Sequence, residues 1–375
     1  MRPRDSRCRL AIVVIGVLGF AQSARADEPR KLSVEQAAQY LDDRADEWFG
    51  FDGADRGEGA DRVSCLSCHT SVSYALGRPA ARRLSGQKQP TEDETQILAN
   101  VRRRVEHWAK LDSPRFRLSY DFDDRKKVES WGTEAVLNLL VLANDDRQSD
   151  RKAPSESTRK ALAHLWATQE KRGPDAGSWD WLDFKLRPWE APEARFYGAT
   201  LAAIALGTMP GGPDSPDDAT TREGVEHLRK YLSSHVDTQN LHNRLVALWA
   251  ATEMKGVLTD SQRREVIDAV IARQRANGGW SLSSLVDCRR QDGTPQETAS
   301  DGYATGLAVH VLQRAGLGRD RPAVAKGLEW LRTHQQPEGN WVGFSLNKKR
   351  DPKTHVGRFM SDAATAMALL ALEPH

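Results

Sequence analysis

A short motif that recurs three times constrains the fold of this 375-residue chain more than any other feature. Gln335 is followed at fixed spacing by Gly339 and Trp341, in the pattern Q-x3-G-x-W. The same pattern recurs at residues 274–280, and a form with a longer turn occupies residues 169–179. Self-similarity of this kind indicates a repeat architecture, in which each unit buries its apolar face against the next unit.

Each motif follows an amphipathic segment and precedes a segment rich in small and apolar residues. In segment 223–231, apolar residues recur at i, i+3, i+4 and i+7, which is typical of a helix with one buried face. Segment 300–315 is apolar on most faces and predicts an inner helix. Pairing the two kinds predicts six hairpins and a single all-α (α/α)6 toroid. The predicted outer helices span 33–48, 93–111, 156–171, 220–234, 261–276 and 321–335, and the inner helices 68–82, 130–143, 192–207, 240–254, 300–315 and 360–372.

The Gln–Gly–Trp pattern resembles the QW motifs of squalene and oxidosqualene cyclases and of the protein prenyltransferase β subunits. The resemblance covers nearly the whole chain after residue 26 and is strong in its C-terminal half. It implies that the Gln and Trp side chains close the end of one outer helix against the next. It also implies one toroid domain over residues 27–375.

An acidic segment offers a second point of resemblance. The sequence DFDD at residues 121–124 resembles the D-x-D-D motif of squalene–hopene cyclases, whose middle aspartate protonates an alkene. The resemblance implies Asp123 as a catalytic acid and an apolar or terpenoid-like ligand. The alternative is a solvated turn that caps the following helix. A zinc site of the prenyltransferase type is not predicted, because residues 301–303 lack its cysteine.

The sequence C-x-x-C-H at residues 65–69 is the attachment pattern of a c-type haem. It predicts one covalent haem c, with Cys65 and Cys68 as thioether anchors and His69 as an axial ligand of the iron. The alternatives are a disulfide between the two cysteines or half of a zinc site.

The repeat register predicts that His69 lies on the same rim of the toroid as Asp301 and Asp362, where the inner helices begin. Both aspartates are candidate catalytic groups, and both are also interpretable as helix caps. Met360, which immediately precedes the last inner helix, is the candidate second ligand of the iron. Further candidates for that ligand are His242 and His355.

Other side chains could form an acid/base pair like those of (α/α)6 glycan enzymes. The candidates are Glu134, Glu190, Glu193, Asp301, Tyr197 and Tyr303. A ligand cavity would be lined by aromatic residues, and the candidates are Trp131, Trp189, Phe196 and Tyr197. At helical spacing these aromatic residues are more typical of the core.

The N-terminus predicts export. Four arginines precede an apolar run at residues 10–21, and Ala24-Arg25-Ala26 has the pattern of a cleavage site, so residues 1–26 are interpreted as a signal peptide. No later apolar run approaches the ~18 residues of a membrane span. Removal of residues 1–26 takes away five arginines and one aspartate, which changes the net charge from +2 to about −2. No basic excess remains to favour nucleic acid as a partner.

These features together predict a periplasmic or secreted toroid that carries one haem c. The predicted function is redox work, either electron transfer to a periplasmic redox partner or haem-assisted oxidation of a ligand bound in the toroid. The alternatives are a terpenoid-cyclase-like isomerase with Asp123 as acid and a haem-containing binding or sensor protein.

Overall fold

The structure is a computed structural model that describes residues 32–56, 59, 62–108, 124–213 and 218–374. The predicted signal peptide, residues 1–26, and Asp123 lie outside the described residues. Within the described part of the chain, no helix is both long enough and apolar enough to span a bilayer.

Thirteen α-helices occur in the described residues, together with one two-stranded antiparallel sheet and three short 3-10 helices. The helices are α1 (Val34–Phe49), α2 (Ser71–Leu84), α3 (Glu92–Glu106), α4 (Asp124–Gln148), α5 (Glu156–Thr168), α6 (Ala194–Thr208), α7 (Ala219–His235), α8 (Leu241–Glu253), α9 (Asp260–Ile271), α10 (Leu282–Leu285), α11 (Gly302–Arg314), α12 (Pro322–Thr333) and α13 (Phe359–Leu372). The strands are β1 (Asp55–Arg56) and β2 (Val63–Ser64), and the 3-10 helices are Asp52–Ala54, Val236–Thr238 and Val356–Arg358.

Six inner helices form a closed ring. Helix α2 contacts α4, and the series continues through α6, α8, α11 and α13, which contacts α2 again. The outer helices α1, α3, α5, α7, α9 and α12 pack outside this ring, each against an inner helix next to it in the chain. The predicted all-α toroid of six hairpins is therefore confirmed.

Small residues set the close spacing of the inner ring. A Cβ atom on Gly306 would lie 2.6 Å from the backbone of Met367, and one on Gly77 would lie 2.6 Å from the Cα atom of Ala366. Helix α13 can therefore pack this closely against α11 and α2 only because Gly306 and Gly77 have no side chain at the contacts. The outer helices begin instead at polar caps, including complete capping boxes at Thr91 and Thr259.

The three QW turns perform the same structural task. The indole N–H of Trp341 donates to the carbonyl of Leu331 at 2.8 Å, and those of Trp280 and Trp179 donate to equivalent carbonyls at 2.7 and 2.8 Å. All three rings are fully buried. Each tryptophan therefore seals the C-terminal end of its outer helix, as the sequence resemblance implied.

The glutamine of each motif joins neighbouring repeats. The Gln274 amide donates to the carbonyls of Gly278 and Ala323, each at 2.8 Å, and Ala323 belongs to the next outer helix. The Gln169 amide donates to the carbonyl of Gly224 in α7 at 2.9 Å. A hydrogen bond that crosses from one repeat to the next fixes their relative position.

Two differences from the predicted elements have local causes. Helix α4 begins at residue 124 rather than 130, and an ion pair between Arg125 and Glu129 at spacing i,i+4 stabilises its polar first turn. The strands β1 and β2 were not predicted, because two-residue strands leave almost no periodic signal.

Candidate active site

The N-termini of the inner helices face one mouth of the toroid. Asp301 and Asn240 cap α11 and α8 with their side chains, and His69 and Thr70 precede α2. The loop between residues 179 and 193 leads from a QW turn into α6 and carries Glu190 into this mouth. The mouth therefore collects polar side chains from four different repeats.

Glu190 is the carboxylic acid of this mouth that has no structural partner. Its backbone is fixed by two hydrogen bonds with Leu186, at 2.7 and 2.8 Å. Within the described residues its carboxyl group makes no hydrogen bond, and the side chain is half-buried although it lies deep in the molecule. Burial raises the pKa of Glu190 to about 7, against an opposing contribution from the charge of Lys126. A substantial fraction of Glu190 therefore carries a proton at neutral pH.

Aromatic rings surround the approach to Glu190. The indole N–H of Trp181 donates to the carbonyl of Trp189 at 2.7 Å, which holds the segment that precedes Glu190. The Trp189 ring meets the ring of Tyr303 edge-on at 5.3 Å, and Tyr197 meets Trp181 edge-on at 6.0 Å. These rings are buried, and they form an apolar wall beside Glu190.

The Cys68 thiol lies among these groups. Burial raises its pKa, and the charge of Glu190 raises it further. A charge on Cys68 would in turn raise the pKa values of Tyr197 and Tyr303. The thiol is 8% exposed and remains protonated at neutral pH, so it is a neutral wall of the mouth rather than a nucleophile.

A chain of hydrogen bonds links three repeats beside Glu190. Trp189 donates to the hydroxyl of Tyr303 at 3.0 Å, and that hydroxyl lies 2.9 Å from Nε2 of His242. The side-chain oxygen of Asn243 lies 3.1 Å from Nδ1 of His242. The amide nitrogen of Asn243 donates to the Glu193 carbonyl and the Gln239 side chain, which fixes the oxygen as the atom that faces His242. Nδ1 of His242 therefore carries its hydrogen, and the Tyr303 hydroxyl donates to Nε2.

Burial lowers the pKa of His242 to about 4, so its imidazole is neutral at neutral pH. Burial raises the pKa of Tyr303, so its hydroxyl keeps its proton. This chain of hydrogen bonds therefore places neutral side chains at the wall of the mouth. The hydrogens of Trp189, Tyr303 and His242 each have a defined acceptor.

Asp301 is engaged as a helix cap. One carboxylate oxygen accepts from the backbone N–H of Ala304 at 2.8 Å, and the other accepts from that of Leu282 at 2.6 Å. Burial raises the pKa of Asp301 to about 7, although these backbone donors oppose the rise. The capping interpretation therefore accounts for both oxygens of this predicted catalytic residue.

Asp362 is the centre of a buried ionic network. Its oxygens accept from Nε and Nη2 of Arg44 at 2.7 and 2.9 Å, from the Tyr40 hydroxyl at 2.9 Å and from the Thr70 hydroxyl at 2.7 Å. Arg44 and Asp362 are each 1% exposed. The network ties the first outer helix to the last inner helix, and it leaves no oxygen of Asp362 for a substrate.

His69 belongs to the edge of the same network. Its Nδ1 lies 2.8 Å from the Thr70 hydroxyl, and its ring stacks on Phe359 with centroids 3.7 Å apart. Burial, with the positive charges of Arg44 and His355, lowers the pKa of His69 to about 3. The imidazole is therefore neutral and is held by Phe359 and Thr70.

The remaining candidates have structural partners. Glu134 forms an ion pair with Arg104 in which both oxygens are used, at 2.7 and 2.6 Å, and Glu193 pairs with Arg187 at 2.6 Å. Met360 is buried at the start of α13. The thiols of Cys65, Cys68 and Cys288 are free. Packing contacts also involve Trp131 against Trp108 and Phe196 against Tyr231.

No protein-family model matches this chain, and no curated protein matches it. Several solved structures share its fold. The unsaturated glucuronyl hydrolase of Bacillus sp. GL1 matches with 16% identity and a TM-score of 0.50, over 91% of this chain and 96% of that chain. A UGL variant with dGlcA-Glc-Rha-Glc matches with 15% identity and a TM-score of 0.50, over the same shares of the two chains.

A third match is a glycosidase variant in complex with glucose, with 12% identity and a TM-score of 0.50 over 90% of this chain and 96% of that chain. At these identities the likeness shows the fold, an α/α toroid of the same broad class that the QW resemblance implied. The chain is thus an all-α toroid protein.

The prediction of a haem c that performs redox work is wrong. The toroids that match this chain are a hydrolase and a glycosidase, which points away from iron-based electron transfer. In the described ranges, no three His, Cys, Asp or Glu side chains are grouped so as to hold a metal ion. The His69 ring is stacked on Phe359 and bonded to Thr70, and Met360 is buried at the start of α13.

The haem-containing sensor is wrong together with the redox function, because it depends on the same cofactor. The terpenoid-cyclase-like isomerase is likewise not what the matching hydrolases and glycosidases point to, and the role of Asp123 stays a prediction because this residue lies outside the described residues. Sequence reasoning named Glu190 only as one of several carboxylates. It did not separate Glu190 from the others, because Arg104 and Arg44, the partners of Glu134 and Asp362, lie 30 and 318 positions away from them in the chain.

Proposed function

We propose that this protein is a carbohydrate-processing enzyme whose active site is the mouth of the toroid and whose general acid is Glu190. The observation that carries the proposal is the state of Glu190, a deep carboxylic acid without a structural partner and with a pKa of about 7. A general acid works best when its pKa lies near the operating pH. The other carboxylates of the mouth are bound to arginines or to helix N-termini.

In the proposed reaction, Glu190 gives its proton to the bridging oxygen of a glycosidic bond as the bond between that oxygen and the anomeric carbon breaks. Water adds to the anomeric carbon, and the ionised Glu190 takes the proton that this water releases. One water is consumed, and Glu190 returns to its starting state. Trp181, Trp189 and Tyr197 support the proposal because their buried rings form apolar surroundings that favour the protonated form of the acid.

The shared toroid of the glycosidases and glucuronyl hydrolases adds support at the level of architecture. The QW turns also resemble the repeats of the terpenoid cyclases and prenyltransferases. We use that resemblance for the architecture alone and infer no reaction from it. We extend the proposal to the compartment, because the signal-peptide pattern of residues 1–26 suits an enzyme that acts on glycans outside the cytoplasm.

The test is the turnover of a panel of neutral and acidic oligosaccharides by the wild type, by Glu190→Gln and by Glu193→Gln. Glu190→Gln keeps the size of the side chain but cannot donate a proton, so we expect kcat to fall by about 10²–10⁴-fold. Glu193→Gln is the matched control, because Glu193 pairs with Arg187, and we expect it to retain activity. Equal activities of wild type and Glu190→Gln on every cleaved substrate would refute the proposal.

A further inference from the structure

A groove of about 620 Å3 runs between α1 and the loops that precede α11 and α13. We call it the basic groove. Its cationic side chains are Arg44, Arg290, Lys349, Arg350, Lys353 and Arg358, and its acidic side chains are Asp43, Glu47, Glu297 and Glu338. The volume lies within the usual range for a ligand site, roughly 300–1,000 Å3.

The acidic side chains cancel only part of this charge. Glu47 already forms ion pairs with Arg44 and Arg358. Arg44 is also paired with the buried Asp362, so four cations of the groove, Arg290, Lys349, Arg350 and Lys353, have no carboxylate bonded to them within the described residues, against three remaining acidic side chains. A positive excess is thus concentrated in one concave surface of a nearly neutral protein, and such a surface attracts anions.

Arg290 is the anchored cation of the groove. The side chain is 3% exposed, Nε donates to the carbonyl of Ser345 at 3.0 Å, and Nη1 donates to that of Pro295 at 2.8 Å. The nearest carboxylate, that of Glu297, is 3.8 Å away, which is too far for a hydrogen bond. Nη2 makes no hydrogen bond within the described residues, so a nearly buried guanidinium keeps donors for a ligand.

Three further cations have no ionic partner in the part of the chain that the structure describes. Lys349, Arg350 and Lys353 are exposed at the groove and form no ion pair there. Phe344 and Tyr40 add aromatic surface to the same groove. One nearly buried cation, Arg290, and three exposed cations lie beside these aromatic rings. Such a surface suits a ligand that carries acid groups on sugar rings.

The basic groove is bonded to the loop that carries Glu190. The side chain of Asn347 accepts from the backbone N–H of Arg187 at 2.8 Å and donates to the Arg187 carbonyl at 2.7 Å. The backbone carbonyl of Asn347 accepts from the N–H of Gln291, next to Arg290, at 2.8 Å. One residue therefore joins the loop that carries Arg290 to the loop that carries Glu190.

We propose that the substrate is an anionic glycan, whose carboxylate or sulfate groups bind the basic groove while another part of the same chain lies at Glu190. This inference rests on the proposed function for its reaction but not for its binding. Bidentate contacts of Arg290 and point contacts of the exposed lysines both suit carboxylate and sulfate oxygens.

Binding is best measured on full-length Glu190→Gln protein, so that turnover does not interfere. The probes are a hyaluronan hexasaccharide with carboxylates alone, a chondroitin sulfate hexasaccharide with carboxylates and sulfates, and neutral cellohexaose. We expect both acidic probes to bind at least about tenfold tighter than cellohexaose. A preference between the two acidic probes identifies the acid group that the groove selects.

The test variant adds Lys349→Ala, Arg350→Ala and Lys353→Ala to this protein, and all three side chains are exposed. We expect the Kd of the acidic probes to rise by about tenfold or more, with a weaker salt dependence, and that of cellohexaose to stay constant. Lys348→Ala is the matched control, since Lys348 is exposed but does not line the groove, and we expect a change within about twofold.

Equal binding of acidic and neutral probes, or an unchanged Kd in the triple variant, would overturn this inference while leaving the role of Glu190 intact. Equally tight binding of a single-stranded DNA oligonucleotide would also overturn it, because the groove would then be a general polyanion surface. Selective, groove-dependent binding of acidic probes would support it even if the wild type cleaves none of them, and that last result would count against Glu190 alone.

Discussion

The side-chain amide of Gln335 and the backbone of Ser33 exchange two hydrogen bonds that close the toroid. The Gln335 oxygen accepts from the N–H of Ser33 at 2.8 Å, and its nitrogen donates to the Ser33 carbonyl at 2.7 Å. These residues are 302 positions apart, at the end of the last outer helix and at the cap of the first. The same glutamine that joins neighbouring repeats elsewhere here joins the two ends of the ring.

Gln335→Ala removes these two bonds and the bond that the same amide donates to the Gly339 carbonyl at 2.8 Å, and it leaves part-buried backbone groups without a partner. We expect a loss of about 1–3 kcal/mol in the free energy of unfolding, measured by chemical denaturation. Gln336→Ala is the control, because the Gln336 side chain contacts only the His334 carbonyl. An equal, small loss in both variants would show that closure at Ser33 does not contribute to stability.

Gly339 tests the geometry of the QW turn. Its φ is +92°, and a Cβ atom would lie 2.3 Å from the carbonyl oxygen of Gln36 in α1. Gly316 has a φ of +95° with open space around it. We expect Gly316→Ala to cost about 1–2 kcal/mol from backbone strain alone and Gly339→Ala to cost roughly 1–3 kcal/mol more. Equal losses of stability in the two variants, measured by thermal or chemical unfolding, would mean that α1 shifts away from residue 339 without cost.

The repeat could be predicted from the sequence because its signals are local. Within one QW turn, the glutamine bonds to a carbonyl four residues away and the tryptophan to one ten residues away. A spacing of this kind is visible in one short window. The outer helices and the toroid followed from it, with errors of a few residues at the helix ends.

The site could not be predicted in the same way. Arg44 and Asp362 are 318 positions apart, and Trp189 and Tyr303 are 114 apart, so no local spacing indicates that they meet. The C-x-x-C-H motif led to a wrong prediction of haem because a local pattern does not show which distant residues surround it. Its local spacing indicates a cofactor, whereas His69 is surrounded by Phe359 and Thr70.

Asp362→Ala leaves the buried guanidinium of Arg44 with the partly exposed Glu47 as its remaining carboxylate partner. We expect a loss of about 3–5 kcal/mol in the free energy of unfolding, since removal of one partner from a buried ion pair is strongly destabilising. Asp43→Ala, at an exposed position on the same helix as Arg44, should change stability by less than about 0.5 kcal/mol. A small effect of Asp362→Ala would contradict the structural role assigned to this residue.

The raised pKa of Glu190 makes stability depend on pH in a defined direction. The folded value of about 7 lies above the ordinary value, so the protonated side chain contributes stability at low pH that is lost as pH rises through about 7. Glu190→Gln does not ionise. We therefore expect its stability to gain on the wild type between about pH 4 and pH 7, by about 3 kcal/mol in total, and the difference to level off above.

Denaturant titrations of both proteins at several pH values measure this difference. Asp301, whose pKa is also raised to about 7, is present in both proteins, so its contribution cancels. A stability difference that stays constant from pH 4 to pH 9 would show that the carboxyl group of Glu190 faces water.

The central claim, that protonated Glu190 is the general acid of the site, is tested most directly by the pH dependence of kcat on a cleaved oligosaccharide. Because the protonated form is the reactive one, we expect kcat to be level below about pH 6 and to fall about tenfold per pH unit above about pH 7. In Glu190→Gln, we expect the small residual kcat to show no such decrease above pH 7. A wild-type kcat that stays level or rises between pH 7 and pH 9, or a residual kcat of Glu190→Gln with the same fall, would contradict the assignment.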